Sequence, residues 1–305
     1  MIHQSSNIIK YIFLSIRPKQ WTKNLLVFLA LFFSLNEAWE ISDLNTFILL
    51  LIKAMISFWI FCFLSSSIYL INDTLDKNKD NLHPQKFKRP IASGLLPIKI
   101  AIISSFILGI ISITSAFYLD INFGFISITY FSLMFLYSIY LKNFIILDVM
   151  IIGLGFVLRT IAGAIVIGVP ISNWLYICTG IGALFIALSK RKTELDSGGE
   201  KIFKQRNTLQ KYNTKQLYIS LLVCGILVLI SYILYTIQAS NLPNNNSMLA
   251  TVPFVLIGLL RYSYLAIYKK LGETPENIIT SDLILISIIL SWLITSSGIL
   301  FFFRN

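Results

Sequence analysis

The sequence predicts an all-α polytopic membrane protein with about nine transmembrane helices. Of its 305 residues, 56% are hydrophobic and only 13% are charged, whereas soluble domains carry about 25% charged residues. The mean hydropathy is +0.77. Backbone polar groups in lipid must bond within helices or closed barrels, and apolar runs of about 20 residues favour helices. We therefore expect residues 1–305 to form a single integral membrane domain.

The predicted spans follow one another along most of the chain. Each is an apolar segment close to the length that a bilayer requires. Their limits are 23–38, 47–71, 97–118, 121–140, 144–168, 172–189, 216–238, 248–268 and 279–302. Ahead of them, Ile8, Ile9 and Ile12 lie on one helical stripe, so residues 1–20 are expected to form an interfacial helix on the membrane.

The cations concentrate in particular loops. The formal net charge is +11, and most Lys and Arg residues lie before the first span or after even-numbered spans. The positive-inside rule puts the N-terminus and these loops in the cytoplasm, and the expected location is a bacterial cytoplasmic (inner) membrane. Two long charged loops, 73–96 and 190–214, share that face and are the expected active-site loops. Because topology explains the charge, no nucleic-acid partner is expected.

An acidic cluster follows the second predicted span. Asn72, Asp76 and Asp80 recur every four residues, which places them on one face of a helix, with Asp73 beside them. Stacked carboxylates repel one another, so the cluster requires cations or a metal ion. Oxygen ligands of this kind suit Mg²⁺, which also binds substrate phosphates. We predict that all four residues bind Mg²⁺ and that the three aspartates are catalytic; the alternative is a solvated loop paired with Lys77 and Lys79.

Basic side chains follow the acidic cluster directly. Arg presents a planar fork to phosphate and Lys presents a point charge, so this segment is expected to bind the phosphates of a diphosphate substrate. The expected residues are His83, Lys86, Lys88 and Arg89, joined by Arg17, Lys19 and Lys23 ahead of the first span. The alternative is that these cations only anchor the chain at the membrane surface.

Two charged residues lie in the fifth predicted span. Asp148 and Arg159 are on nearly the same helix face, about 16 Å apart along the axis. A charge inside a span is costly and marks a functional position by default. We therefore expect both to take part in substrate binding, with Arg159 at a lipid phosphate or at an acid of another helix. The alternative is a structural ion pair.

The motifs around the acidic cluster resemble those of a known family. Asn-Asp-x-x-Asp-x-x-x-Asp, followed by His-Pro-x-Lys-x-x-Arg-Pro-Ile-Ala-Ser-Gly, is similar to the first signature of the UbiA superfamily of intramembrane prenyltransferases. This resemblance implies a UbiA-like bundle of about nine helices, whose central cavity opens to cytoplasmic loops. It also implies a transferase activity that depends on Mg²⁺.

Within this superfamily the chain resembles the decaprenyl-phosphate phosphoribosyltransferase branch. The similar segments are Arg17-Pro-Lys19-Gln-Trp21-x-Lys23-Asn24, Asp148 through Arg159-x-Ile-Ala-Gly163, Ser189-Lys190-Arg191-x-x-Glu194-Leu195, and Pro275-Glu276 with Asp282. Typical superfamily members carry a second Asp-x-x-x-Asp motif after the sixth span. Here that place is rich in cations, which suit an anionic phosphate better than a second Mg²⁺. We therefore expect Lys190, Arg191 and Glu194 to orient substrate groups; the alternative is a positive-inside stop.

The resemblance and the charge pattern together imply one reaction. The chain would move a 5-phosphoribosyl group from phosphoribosyl diphosphate to the phosphate of a decaprenyl-type polyprenyl phosphate, releasing diphosphate, in cell-envelope biosynthesis. One alternative is a UbiA-type prenyltransferase with a polyprenyl diphosphate donor and an aromatic or glycerol-phosphate acceptor. The other is a membrane transporter or lipid flippase. Assembly into a homo-oligomer stays open.

Overall fold

The computed structural model describes residues 2–83, 85–170, 172–196 and 212–304. Within these ranges the chain is helical, and the only β-type pairing is an isolated bridge between Leu35 and Trp39. Eight helices in the described part are long and apolar enough to cross a membrane. The predicted class, an all-α polytopic membrane protein, is therefore confirmed.

The described helices follow one another with short connections. The α-helices are α1 (Ile2–Ser15), α2 (Leu29–Phe33), α3 (Leu44–Leu75), α4 (Lys77–Asn81), α5 (Ile98–Leu119), α6 (Ile121–Ile139), α7 (Ile145–Ile167), α8 (Asn173–Asp196), α9 (Thr214–Gln238), α10 (Val252–Ser263), α11 (Pro275–Ser281) and α12 (Leu283–Phe303). Four 3₁₀ segments are Pro18–Phe28, Lys86–Lys88, Leu141–Asn143 and Ser247–Thr251, and a π-helical turn, Tyr264–Tyr268, extends α10. The helix α1 agrees with the expected N-terminal helix, while its place on the membrane surface stays a prediction.

The first predicted span, 23–38, is wrong as a single α-helix. The 3₁₀ segment Pro18–Phe28 covers its beginning, and α2 continues only from Leu29 to Phe33. A 3₁₀ helix rises about 2 Å per residue against about 1.5 Å in an α-helix. The same number of residues therefore covers a longer axial distance in the 3₁₀ segment than in an α-helix. Apolar composition predicted a segment at membrane depth but carried no information on its pitch.

The described residues form two compact units. The first unit contains residues 2–25, 56–83 and 85–151, and the second contains 26–55, 152–170, 172–196 and 212–304. The sequence prediction of one integral domain over 1–305 stays a prediction. Each unit has its own buried side chains and is described by itself.

Small polar residues hold α3 against α5 in the first unit. The Ser67 hydroxyl donates to the Ser105 carbonyl at 2.7 Å, and the Ser105 hydroxyl donates back to the Ser67 carbonyl at 2.8 Å. One turn further on, a Cβ at Gly109 would lie 3.1 Å from the Ser67 hydroxyl oxygen. Lipid offers no hydrophobic force between helices, so close contacts between small residues supply the association.

In the second unit, reciprocal hydrogen bonds join the end of α12 to the segment that ends α2 and follows it. The side chain of Asn36, in the left-handed region at φ 58°, donates to the carbonyls of Leu300 and Arg304 at 3.2 and 3.1 Å. Arg304 in turn donates to the carbonyls of Phe33 and Leu35 at 2.7 and 3.0 Å. The last carbonyls of a helix have no partner within it, so this exchange satisfies them in an apolar setting.

Gly163 marks a very close approach between α7 and the end of the 3₁₀ segment in the second unit. A Cβ at this position would lie 2.1 Å from the carbonyl oxygen of Val27, which is fully buried. A backbone carbonyl cannot rotate away as a flexible side chain can. The Arg159-x-Ile-Ala-Gly163 segment therefore needs glycine at its last position for packing.

We predict that Gly163→Ala destabilises the protein, because the new methyl group must push the Val27 backbone away. In an open helical site, the same change would stabilise by about 0.5–1 kcal/mol. Gly298 is the matched control, since a Cβ there meets no atom within 4 Å. Thermal unfolding in detergent should show a lower midpoint for Gly163→Ala and an unchanged or higher one for Gly298→Ala. Equal midpoints for both variants would contradict the packing role.

Candidate active site

Two buried aspartates of the first unit share one arginine. Asp73 and Asp80 are 2% and 5% exposed, and they lie seven residues apart, which is close to two helical turns. Arg89 Nη1 donates to Asp73 Oδ1 at 3.1 Å and to Asp80 Oδ2 at 2.6 Å. Backbone bonds from Asp76 N to Asn72 O and from Asp80 N to Asp76 O keep this stretch helical across the junction between α3 and α4.

The other two residues of the acidic cluster share a lysine. Lys142, between α6 and α7, contacts both carboxylate oxygens of Asp76 at 2.7 Å and the Asn72 side-chain oxygen at 3.4 Å. The four residues are thus divided into two pairs, Asp73 with Asp80 and Asn72 with Asp76. The sequence prediction placed Asn72, Asp76 and Asp80 on one helix face, because residues four positions apart stack along a helix. It did not consider that residues seven positions apart, such as Asp73 and Asp80, also share a face.

Arg17 is the third cation of the acidic cluster. Its Nη2 forms an ion pair with Asp73 Oδ1, and its guanidinium carbon lies 5.0 Å from the ring centre of Tyr69. The backbone of Arg17 is left-handed, at φ 53°, where a residue other than glycine is strained by about 1–2 kcal/mol. This conformation follows the end of α1 directly and allows the side chain to reach α3.

Three cations therefore neutralise the three carboxylates of the acidic cluster. Within the described residues, no group of three or more His, Cys, Asp or Glu side chains is arranged to hold a metal ion. The donor chemistry nevertheless fits Mg²⁺, because the cluster offers only carboxylate and amide oxygens. Lys142 contacts both carboxylate oxygens of Asp76, so a metal ion at Asp76 would compete with Lys142. Phosphate oxygens are natural new partners for these cations.

The remaining predicted phosphate ligands of the first unit are placed differently. His83 Nδ1 accepts hydrogen bonds from the backbone of Gln85 and Lys86 at 3.2 and 3.4 Å, so its ring stabilises the turn before the 3₁₀ segment. The side chains of Lys19 and Lys88 are exposed, whereas those of Lys23 and Lys86 are half-buried. Their contacts with phosphate stay predictions.

Lys142 is the site residue that the sequence analysis missed. It lies in the loop after the fourth predicted span, where the charge pattern assigns lysines only a topological role. The signal was weak, because a single lysine between two spans is what the positive-inside rule predicts in any membrane protein. Its pairing with Asp76 joins residues 66 positions apart, which no local pattern reveals.

The end of α8 in the second unit carries a separate set of charges. Arg191 and Lys192 are 2% and 8% exposed. Arg191 pairs with Glu194 at 2.6 Å, and Lys192 pairs with Asp196. Lys190 is half-buried. We call Lys190, Arg191 and Lys192 the basic end of α8. The rest of the predicted loop 190–214 includes residues 197–211, which lie outside the described residues.

Asp148 and Arg159, both on α7, each contact residues that lie near them in the sequence. Asp148 is fully buried and accepts a hydrogen bond from Tyr137 at 2.9 Å. Arg159 is 4% exposed, donates to the Gly155 carbonyl at 2.9 Å and lies 5.3 Å from the Phe156 ring centre. Their substrate contacts stay predictions.

Asp282, part of the resemblance to the phosphoribosyltransferase branch, has a structural role. Arg261 donates to its two carboxylate oxygens at 3.1 and 2.8 Å, and the carboxylate accepts from the Leu285 backbone at 2.8 Å. The hydrogen bond from Arg261 is the main reason that the pKa of Asp282 is lowered. The residue thereby caps α12.

We predict that Arg89→Gln lowers the stability of the protein, because it leaves buried Asp73 and Asp80 without their shared cation. Loss of one partner of a buried pair costs about 3–5 kcal/mol. Arg89 is 27% exposed, so about 2 kcal/mol is expected after solvent screening. Lys88→Gln is the matched control, since it removes the same charge from the exposed neighbour. The measurement is the thermal midpoint in detergent.

A double-mutant cycle tests the pairing itself. Arg89→Gln combined with Asp80→Asn should recover part of the lost stability, because the stranded charge at residue 80 is also removed. Additive losses in the double variant, or equal losses for Lys88→Gln and Arg89→Gln, would contradict the bridge.

The comparisons with known proteins give a consistent result. The chain is 30% identical over 307 residues to the decaprenyl-phosphate phosphoribosyltransferase of Mycolicibacterium smegmatis, covering 97% of this chain and 94% of that protein. It is 31% identical over 286 residues to the Corynebacterium glutamicum protein of the same name, covering 91% and 83%.

Solved structures share the fold. A UbiA homologue from Archaeoglobus fulgidus, bound to GPP and Mg²⁺, aligns with a TM-score of 0.69 at 16% identity, covering 95% of this chain and 99% of that one. A digeranylgeranylglyceryl phosphate synthase aligns with a TM-score of 0.63 at 18% identity, covering 96% and 98%. The UbiA-like architecture predicted from the sequence is thereby confirmed.

The family follows from the extent of these matches. The sequence profile of the UbiA prenyltransferase family matches residues 25–278, which include the acidic cluster, Arg89, Lys142 and the basic end of α8. This chain is an integral membrane transferase that belongs to the UbiA prenyltransferase family.

Proposed function

We propose that the protein transfers a 5-phosphoribosyl group from phosphoribosyl diphosphate to a polyprenyl phosphate of the decaprenyl type, releasing diphosphate. Two relatives that align with this chain over most of their length carry the name decaprenyl-phosphate phosphoribosyltransferase. The observation that carries the proposal is the neutral acidic cluster, in which every carboxylate is paired with a cation.

The charge balance of the acidic cluster argues for a metal. A diphosphate brings several negative charges to a place where anions and cations already cancel. A divalent cation supplies the missing positive charge, so we infer that Mg²⁺ binds together with the donor. Asn72, Asp73, Asp76 and Asp80 would hold it, as oxygen donors suit this ion. Bound Mg²⁺ would neutralise the charge that develops on the departing diphosphate.

The cations of the acidic cluster then have a second role. Arg17, Arg89 and Lys142 exchange carboxylate for phosphate oxygens as the donor binds, and Lys19, Lys23, Lys86 and Lys88 add positive potential along the same segments. His83, whose Nδ1 accepts from the backbone, would donate a hydrogen bond to a phosphate oxygen through Nε2. Arginine can bind two phosphate oxygens at once with its planar fork. The same groups that stabilise the protein without substrate would thus orient the diphosphate.

The proposed acceptor needs no dedicated base. The bond between the sugar C1 and the diphosphate oxygen breaks, and an oxygen of the lipid phosphate forms the new bond to C1. A phosphate monoester is already anionic at neutral pH, so no proton has to be removed before attack. The basic end of α8, with Glu194, suits the anionic head of this lipid, and Arg159 is a second candidate for that contact.

The main alternative is prenyl transfer from a polyprenyl diphosphate. The Archaeoglobus fulgidus homologue was solved with GPP and Mg²⁺. In this chain, however, Glu194 and Asp196 at the end of α8 are paired with Arg191 and Lys192. A second metal there would have to displace both cations, which argues against a second metal-bound diphosphate.

We predict that Asp76→Asn and Asp80→Asn each lower transfer by about 100-fold, the size typical of lost electrostatic stabilisation. The assay uses purified protein, Mg²⁺, polyprenyl phosphate and radiolabelled phosphoribosyl diphosphate, with label counted in the lipid phase. Asp120→Asn is the matched control, because this residue caps α6 by accepting from Phe123 N at 2.9 Å and Asn caps equally well.

Three outcomes decide the proposal. Label in the lipid that disappears with EDTA supports both the donor and the metal. Full activity in both Asp76→Asn and Asp80→Asn would remove the acidic cluster from the mechanism. Consumption of geranyl or farnesyl diphosphate without transfer of phosphoribose would assign the protein to prenyl transfer.

A further inference from the structure

Two uncharged residues near Arg17 have no part in the proposed function, although they belong to the same segment of the first unit. Trp21 is half-buried and Asn24 is fully buried. Neither offers a charge to a phosphate, and both contact α3. The segment therefore combines side chains suited to an anion with side chains that bind it to the protein.

The segment runs antiparallel to α3 and contacts it at three points. The contacts are Arg17 with Asp73, Trp21 Nε1 with Ser66 Oγ at 3.1 Å, and Asn24 Nδ2 with Cys62 Sγ at 3.3 Å. Successive partners on α3 are spaced by four and by seven residues, so they lie on one face of the helix. These contacts fix the register of the segment on α3.

Ser66 makes the contact that lies next to Arg17 in the chain. Its side chain is fully buried, and its hydroxyl donates to the Ile16 carbonyl at 3.0 Å and to the Cys62 carbonyl at 2.6 Å, sharing one hydrogen. The same oxygen accepts from Trp21. The Ile16 carbonyl belongs to the peptide bond that enters Arg17, so Ser66 and Trp21 together hold that peptide against α3.

The backbone of Arg17 needs such support. At φ 53° it is left-handed, and it follows the end of α1 at a position where glycine or asparagine is usual. A strained residue persists only where its surroundings fix it. The aromatic rings of Trp59 and Phe63 contact Trp21 edge-on, with ring centres 5.6 and 6.4 Å away, and thereby fix the indole that bonds to Ser66.

We infer that Ser66 and Trp21 are positioning residues that hold Arg17 where it can bind the donor diphosphate. This inference rests on the proposed function, in which Arg17 exchanges Asp73 for phosphate oxygens. The Tyr69 ring, whose centre lies 5.0 Å from the guanidinium carbon, gives the side chain a second fixed contact. An arginine that is already ordered loses less conformational entropy when it binds an anion.

The test begins with variants that remove one hydrogen-bonding group each. Ser66→Ala deletes the hydroxyl, and Trp21→Phe keeps an aromatic ring without its N–H. Each should raise the KM for phosphoribosyl diphosphate by about tenfold, which corresponds to about 1.4 kcal/mol, the size of one lost hydrogen bond. The KM for polyprenyl phosphate should stay unchanged.

Ser67→Ala is the matched control on the neighbouring residue of α3. Ser67 is also buried, and its hydroxyl donates to the Ser105 carbonyl at 2.7 Å. This variant should lower the thermal midpoint in detergent as much as Ser66→Ala does, yet leave both KM values unchanged. An equal rise in KM for the two serine variants would show a general loss of structure and overturn the inference.

A double-mutant cycle asks whether Ser66 acts through Arg17. In an Arg17→Gln protein, the guanidinium that Ser66 holds is gone, so Ser66→Ala should cause no further rise in the KM for phosphoribosyl diphosphate. A second tenfold rise in the double variant would show that the two residues act independently and would contradict the positioning role.

Failure of this inference differs from failure of the proposed function. If phosphoribose is transferred but Ser66→Ala and Trp21→Phe both behave as Ser67→Ala, the inference fails while the function stands. If the unaltered protein consumes geranyl diphosphate instead, and the KM for that donor depends on Ser66 only when Arg17 is present, the function fails while the positioning role stands.

Discussion

Arg89 holds two buried carboxylates that would otherwise repel each other at the end of α3. Asp73 and Asp80 lose their hydration on burial, and unpaired charges in such surroundings cost several kcal/mol. One guanidinium nitrogen, Nη1, contacts both carboxylates, at 3.1 and 2.6 Å. Arg17 and Lys142 complete the set, so that the acidic cluster is neutral as a whole. In the proposed function a diphosphate donor would enter this balanced arrangement, which is why the proposal includes Mg²⁺.

The sequence predicted the class of the fold and the composition of the site for physical reasons. Long apolar runs have few solutions in a bilayer, and clustered acids beside clustered cations indicate phosphate and metal chemistry. Which carboxylate pairs with which cation could not be predicted. The contact between Lys142 and Asp76 joins distant segments. Whether Asp73 shares a cation with a residue four or seven positions away depends on where Arg89 lies. The 3₁₀ segment Pro18–Phe28 was also invisible, because hydropathy does not encode helical pitch.

Glycines in this chain have two distinct uses, which local sequence does not separate. Gly163 allows the Val27 carbonyl to approach α7, so its small size is a packing requirement. A Cβ at Gly182 would meet no atom within 4 Å, so this position leaves space in an apolar groove. In lipid, packing and space of this kind replace the hydrophobic effect as the source of specificity. The second unit therefore combines tight helix association at Gly163 with an apolar groove beside Gly182.

The most direct test of the balanced acidic cluster is equilibrium binding of radiolabelled phosphoribosyl diphosphate to purified protein without any lipid acceptor. Binding should be saturable with Mg²⁺, weak without it, and unaffected by geranyl diphosphate as a competitor. Lys142→Gln should weaken the binding of phosphoribosyl diphosphate, because the Lys142 side chain would leave Asp76 and contact the diphosphate. Tight binding of geranyl diphosphate with no measurable binding of phosphoribosyl diphosphate would contradict the assignment of this cluster to a phosphosugar donor.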